Sequence, residues 1–279
     1  MKPVFAHMTV PVDGSTTSDC GVTFALELAR DGGRVSFCSV VDPSLVCVPA
    51  MQGAAVNPGP MLEVLDEDAV FFCRRAQDAA EKQGIDCTTQ VLHGLCTDQI
   101  RSFAAHNGSD AIVIGTHGRT GIARAALGSI AEGIVRHSHV PVVCVHEDDE
   151  MRTGPVAVAM DQSPAAQAAL DVAISIAAAR GMASMIVYVC GPAPNAERVN
   201  ALLENAAERA RNSGIVTQLV LRQGDPADEL LAAADEDDCC MLVMGTHGRS
   251  ALARFVLGSV AAAVVERAHI PVVTVRCAA

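Results

Sequence analysis

The chain predicts an α/β fold built as two tandem doubly wound domains, each with a parallel sheet of about five strands. Three observations carry this. First, Gly115-Thr116-His117-Gly118-Arg119, running on to Leu127-Gly128-Ser129, returns 130 positions later as Gly245-Thr246-His247-Gly248-Arg249, running on to Leu257-Gly258-Ser259. Second, short apolar runs alternate with helix-periodic stretches in both halves, as parallel strands need for their crossovers. Third, 279 residues divide into two units of about 140, each large enough to bury a core.

The first half opens with the strand-like run Met8-Thr9-Val10-Pro11-Val12, which ends at Asp13; a helix follows with Val22, Ala25, Leu26 and Ala29 on one face. The second half repeats this with Val156-Ala157-Val158-Ala159-Met160 and Asp161. Its helix starts with Ser163 as N-cap and Pro164 as first residue, and gathers Ala169, Leu170, Ala173, Ile174 and Ala177 on one face. Val35 to Val41 and Ser184 to Val189 are the second strands. Longer helices then run to Gly84 and Gly214, where glycine suits a helix C-terminus. A third strand leads to His93-Gly94 or Gln223-Gly224, and a third helix carries Ile100 and Phe103, or Leu230 and Leu231. Ala111-Ile112-Val113-Ile114 and Met241-Leu242-Val243-Met244 enter the glycine loops. After a last helix, Val140-Pro141-Val142-Val143 and Ile270-Pro271-Val272-Val273 close the halves.

The halves differ in one place. Asp13 to Gly115 spans 102 positions and Asp161 to Gly245 spans 84, so the first half carries 18 extra residues. They fall between the second strand and second helix, in the Pro- and Gly-rich stretch Pro43 to Pro60. Three readings stay open for it: closure over the first site, contact with a partner, or a surface insertion without a role.

Each glycine loop has the form G-x-x-G-x9-G-S and lies between a strand and a helix. Glycine lets backbone N–H groups approach a ligand closely, and a helix N-terminus offers unpaired N–H groups with positive partial charge. The combination suits an anion. Gly115 and Gly118 shape the loop, Gly128-Ser129 brings a helix N-terminus and a hydroxyl, and Arg119 and Arg124 add charge; Gly245, Gly248, Gly258, Ser259, Arg249 and Arg254 repeat the set. Ser129 also starts a capping box with Glu132, which Ser259 lacks because Ala262 takes the acidic position. Asp13 and Asp161 suit a strand-to-helix turn as well as a ligand contact.

On these residues the chain resembles the universal stress protein family in its tandem two-domain form, over essentially its whole length. That resemblance implies Rossmann-like domains of strand order 3-2-1-4-5, over residues 1–147 and 153–279. It implies that the G-x-x-G-x9-G-S signature binds ATP phosphates and ribose, and that the first-strand Asp, here Asp13 or Asp161, contacts adenine. In relatives with one domain per chain the closing strand builds the dimer, so here the two halves are expected to pair through theirs. The order 3-2-1-4-5 makes the Asp-bearing and Gly-bearing strands neighbours, where a ligand crevice opens.

Composition narrows the functions. With 50% hydrophobic residues and a mean hydropathy of +0.30 the chain is too apolar for disorder, yet no apolar run approaches the roughly 20 residues of a membrane helix. No secretory signal pattern opens it, so a cytoplasmic protein is expected. A net charge of −12 and a pI near 5.1 argue against nucleic acid as a partner. The eleven cysteines include no C-x-x-C and sit mostly in apolar runs, as reduced core residues do. Cys239 and Cys240 point to opposite faces of any strand they open, which argues against a shared metal. No metal site is assigned, and His137-Ser138-His139 is given a helix-end role because the repeat does not keep it.

His117 and His247 sit inside the loops, but no nucleophile or carboxylate accompanies them in sequence, so they are ligand contacts rather than catalytic groups. Lysine occurs only at Lys2 and Lys82, and neither the lysine-bearing phosphate loop nor G-x-G-x-x-G is present. The expected cofactor is ATP, with or without Mg²⁺, or another adenine nucleotide, one per domain. Occupancy would modulate how a stress-response regulator meets a protein partner or a second copy of itself. Two alternatives stay open: a slow ATP hydrolase or phosphotransferase using His117 or His247, and an adaptor indifferent to nucleotide.

Overall fold

The computed structural model describes residues 3–44, 59–117, 127–149, 152–191, 195–247 and 257–277. The first half comprises β1 (His7–Pro11), α1 (Thr16–Ala29), β2 (Arg34–Val41), α2 (Gly59–Lys82), β3 (Cys87–His93), α3 (Cys96–His106), β4 (Ala111–Gly115), α4 (Ser129–His137) and β5 (Val142–Val145). The second comprises β6 (Val156–Met160), α5 (Pro164–Arg180), β7 (Ser184–Cys190), α6 (Ala196–Asn212), β8 (Thr217–Gln223), α7 (Pro226–Glu236), β9 (Met241–Gly245), α8 (Ser259–Arg267) and β10 (Val272–Val275).

All these strands join one 10-stranded sheet, ordered β3-β2-β1-β4-β5-β10-β9-β6-β7-β8. Each half thus has the order 3-2-1-4-5, with parallel pairs throughout. The expected pairing of closing strands is present: β5 and β10 run antiparallel, with Val143 opposite Val273, its own counterpart in the repeat. An approximate two-fold passes through that pair. The strands of the two halves therefore point in opposite directions, and their carboxyl ends emerge on opposite edges of the sheet.

The sheet separates two cores. On one face, α1, α2, α5 and α6 supply Leu26, Cys73, Leu170 and Leu203 against Val10, Phe37, Val158 and Ile186. On the other, α3, α4, α7 and α8 supply Phe103, Ile134, Leu230 and Val264 against Ile112, Val142, Met185 and Leu242. Central strands read as unbroken apolar runs because both faces are covered: β5 and β10 are buried at every position. Cys239 belongs to one core and Cys240 to the other, as their adjacency in sequence implies.

Helix ends follow local chemistry. Ser163 caps α5, its side chain accepting the Ala166 N–H at 3.1 Å, and Pro164 opens the helix. At the end of α6, Gly214 adopts φ +76° while its N–H bonds the Arg211 carbonyl and the Ile215 N–H bonds that of Ala210. This double turn-back is the glycine-terminated helix end the sequence suggests.

Two expectations change. The Pro43–Pro60 stretch is not all loop, since α2 begins at Gly59 and has 24 residues against 17 in α6. The additional length is thus shared between the connection and the helix; residues 45–58 lie outside the described residues. Pro60 is accommodated because the first helical turn needs no N–H from it. The capping box at Ser129 is also absent: Gly128 is the N-cap and Ser129 the first helical residue, while Glu132 pairs with Arg136. The Gly128 N–H bonds the Thr116 carbonyl at 2.8 Å, and this tertiary bond fixes where the helix starts.

Candidate functional site

In each half, two strand ends and one helix start converge. Asp13 and Asp161 follow β1 and β6; Gly115 and Gly245 end β4 and β9; α4 and α8 begin at Ser129 and Ser259. Met8 and Thr9 pair with Ala111 and Ile112, and Ala157 and Val158 with Leu242 and Val243, so these ends are neighbours.

The aspartates organise the turns. Asp13 Oδ1 accepts the Ser15 N–H at 3.0 Å and the Ser15 hydroxyl at 2.6 Å, and Asp161 Oδ1 accepts the Ser163 N–H at 2.8 Å. Ser15 and Ser163 then cap α1 and α5, and Gly14 supplies a φ of +80°.

The loop glycines allow close approach. A Cβ on Gly245 would lie 2.8 Å from the Ala165 Cβ and 2.9 Å from its carbonyl carbon; one on Gly115 would lie 2.7 Å from the Thr17 carbonyl. Thus the strand end touches the start of the helix that follows the aspartate. Gly258 repeats the bond of Gly128, its N–H meeting the Thr246 carbonyl at 2.9 Å. The N-caps of α4 and α8 are glycines with no side chain to offer, and the first-turn N–H groups are those a helix leaves without intrahelical acceptors.

In the second half these groups line one cavity of about 230 Å³. Asp161, Ser163, Gly245, Thr246, His247, Gly258 and Ser259 form its polar part, and Val187, Val189, Leu230 and Met244 are among its apolar walls. His247 Nδ1 lies 2.9 Å from the Thr246 hydroxyl, while its Nε2 is buried without a hydrogen-bond partner among the described residues.

The first half brings Asp13, Gly115, His117, Gly128 and Ser129 to the equivalent place, with different neighbours. Thr17, where the second half has Ala165, donates its hydroxyl to the His117 carbonyl. The Phe72 ring of α2 occupies the space that a Cβ on Gly14 would need. His146 lies with its ring centroid 6.5 Å from that of His117, and its Nδ1 is 3.4 Å from Asp149 Oδ1. Thr17, Phe72, His146, Val187 and Met244 were not singled out from sequence. For Thr17 and His146, laying one half over the other was the available signal, since Ala165 and Arg276 hold their positions. Gly118, Arg119, Arg124, Gly248, Arg249 and Arg254 lie outside the described residues.

Cys144 and Cys240 are buried core thiols. Burial pushes the Cys144 thiol up to about 12 and Cys240 to about 11, so both stay protonated near neutrality. His137 is the last residue of α4, in the expected helix-end place, and its carbonyl accepts from Arg101 Nε at 2.9 Å. Among the described residues, no group of three His, Cys, Asp or Glu is arranged to hold a metal. Nor, among them, is any helix long and apolar enough to cross a membrane.

The fold defines a tandem α/β protein in which each half brings its Asp-bearing and Gly-bearing strand ends together, with a cavity at that place in the second half. The chain belongs to the universal stress protein family, whose model matches residues 5–146 and 153–276. A universal stress protein of Mycolicibacterium smegmatis is 29% identical over 292 residues, with 96% of each chain covered. One from Mycobacterium tuberculosis is 30% identical over 304 residues, covering 96% of this chain and 94% of that one. The crystal structure of a universal stress protein from Archaeoglobus fulgidus superimposes with a TM-score of 0.77 at 21% identity, covering 98% and 96% of the two chains, and so shares the fold.

Proposed function

We propose that each half binds one adenine nucleotide, ATP in the first instance and with or without Mg²⁺, and that occupancy modulates how this cytoplasmic stress-response protein meets its partners. The observation that supports this most is the second cavity. Segments separated by up to 98 positions, Asp161 to Ser259, contribute a carboxylate, two glycines, a histidine and a helix start to one lining. The parts fit the ligand's chemistry. Val187, Val189, Leu230 and Met244 offer apolar walls to a base, Asp161 Oδ2 is left to accept from an exocyclic amino group, and the start of α8 suits phosphate. Gly248, Arg249 and Arg254 would complete that site; Asp13, Gly115, His117, Gly118, Arg119, Arg124, Gly128 and Ser129 would form the other. The proposed domains are residues 1–147 and 153–279. No catalytic residue is assigned.

The test is to denature the purified protein, identify any released small molecule by mass spectrometry and absorbance, and titrate ATP by calorimetry. Two ATP per chain is the expected result. Bound nucleotide would add about 2.7 kcal/mol of stability at a hundredfold excess over its Kd. Release of no adenine nucleotide together with no binding heat overturns the proposal in favour of an adaptor. Turnover abolished by His247→Gln with binding retained would make the protein a hydrolase.

A further inference from the structure

We propose that β8 is a homodimerisation edge, at which two copies of this chain join their sheets through antiparallel β8–β8 pairing centred on Val220. Among the described residues the sheet ends at β3 on one side and β8 on the other, so β8 carries a row of backbone groups with no neighbouring strand among them. Their identity follows from the inner side. The Ser184 N–H bonds the Val216 carbonyl at 2.9 Å, which turns the even-numbered residues of β8 toward β7. The outward groups are then those of Thr217, Leu219, Leu221 and Gln223.

That set is self-complementary. With Val220 on a two-fold axis, Leu219 faces Leu221 of the second copy, Thr217 faces Gln223, and Gln218 faces Arg222. The pairs built from outward residues are the ones that exchange backbone hydrogen bonds, as an antiparallel ladder demands. Val220 meets its own copy at the close, non-hydrogen-bonded position. No like charges are opposed, because the Arg222 guanidinium is already held by Glu236 of α7.

The side chains favour the same occupant. Leu219 and Leu221 project on one face, where α6 leaves them 38% and 57% exposed. Two copies would close these into a patch of four leucines. Natural sheet edges are usually guarded by lysine, proline or a bulge, and β8 has neither lysine nor proline. The opposite edge differs: β3 exposes Thr88, Thr89 and Gln90, its Val91 packs against the core where Leu221 is open, and His93 pairs with Asp66. Pairing β8 with β3 of another copy would propagate without end, whereas β8 with β8 closes at two.

The experiment is sedimentation equilibrium on the full chain from micromolar to millimolar concentration, with amide hydrogen exchange read at both ends of that range. The expected result is a dimer whose Leu219 and Leu221 amides gain protection as it forms. Leu221→Lys should raise the dissociation constant by about tenfold or more, because it removes a leucine from the patch and sets a charge on the pairing edge. Val220→Cys should cross-link to its own copy on oxidation beyond the parent's background, and Gln218→Cys should not. A monomer at all concentrations overturns the proposal. So does a dimer in which the Leu219 and Leu221 amides exchange as fast as in the monomer, a reading that needs no variant to fold.

Discussion

Ser259→Asp should separate the stability of the second half from its affinity for phosphate. Ser259 is exposed at the first position of α8, behind the N-cap Gly258 at φ −61° and ψ 143°, which has no side chain to cap the helix. A carboxylate there meets the positive end of the helix and should stabilise it by about 0.3–1 kcal/mol. The melting temperature of the ligand-free protein should stay level or rise by up to about 4 °C. The same charge opposes a bound phosphate. At about 4 Å and an effective dielectric of about 20, two like charges repel by about 4 kcal/mol. Solvent at this exposed position screens much of that, and a loss near 1.4 kcal/mol, about tenfold in affinity, is the least to expect. Calorimetric titration of ATP into parent and variant reads it directly, with the first site as an internal control. A folded variant that binds two ATP per chain at parental affinity refutes the assignment of the α8 start to phosphate.

Gly245→Val should cost stability as well as ligand, because its Cβ enters the Ala165 contact at 2.8 Å; overpacking of about 1–3 kcal/mol should appear as a lower urea midpoint. Gly115→Val meets the Thr17 backbone and should behave alike. Burial, then the neighbouring Arg34, depresses the pKa of His7 below its usual 6.5. The folded protein thus holds this ring neutral while the unfolded chain binds a proton near pH 6.5. Its contribution is present above that pH and is lost as pH falls below it toward the folded value. Urea midpoints from pH 7.5 to 5 should decline more steeply for the parent than for His7→Gln. Among the described cysteines, native-state thiol labelling should modify exposed Cys277 first, and leave Cys38 and Cys144 silent until the chain unfolds.

Much of the architecture was legible because its signals are local and written twice. Val156 to Met160 and Met241 to Met244 announce buried strands by composition, and Ser163-Pro164 announces a helix by the chemistry of its first turn. Sheet order was available only through the family resemblance, since periodicity does not say which strands touch. The failures share a cause. Ser129 with Glu132 looked like a box, but the Gly128 N–H is committed to Thr116, 12 positions earlier in the chain, and that tertiary bond decides the helix start. Gly59 and Pro60 looked like loop because the residues that break a helix interior also tolerate its first turn. At the site, the glycines and aspartates were legible from spacing. The Thr17 hydroxyl on the His117 carbonyl was not, because two segments 100 positions apart must fold before they meet.

The seam between the halves carries a consequence for how the molecule could have diverged. Thr274 of β10 donates its hydroxyl to the Val142 carbonyl across the seam, while its counterpart Cys144 offers Val272 no such bond. Just beyond, Arg276 reaches the Arg136 carbonyl of the other half, whereas His146 at the equivalent place turns to Asp149. In a dimer of identical chains every substitution is made in duplicate, so a bond favourable on one side and crowded on the other could never be kept. Joining the two copies in one polypeptide releases that constraint: at this seam each half can fit its sister like a key cut for a single lock, and the closing strands will then pair poorly with those of any other copy.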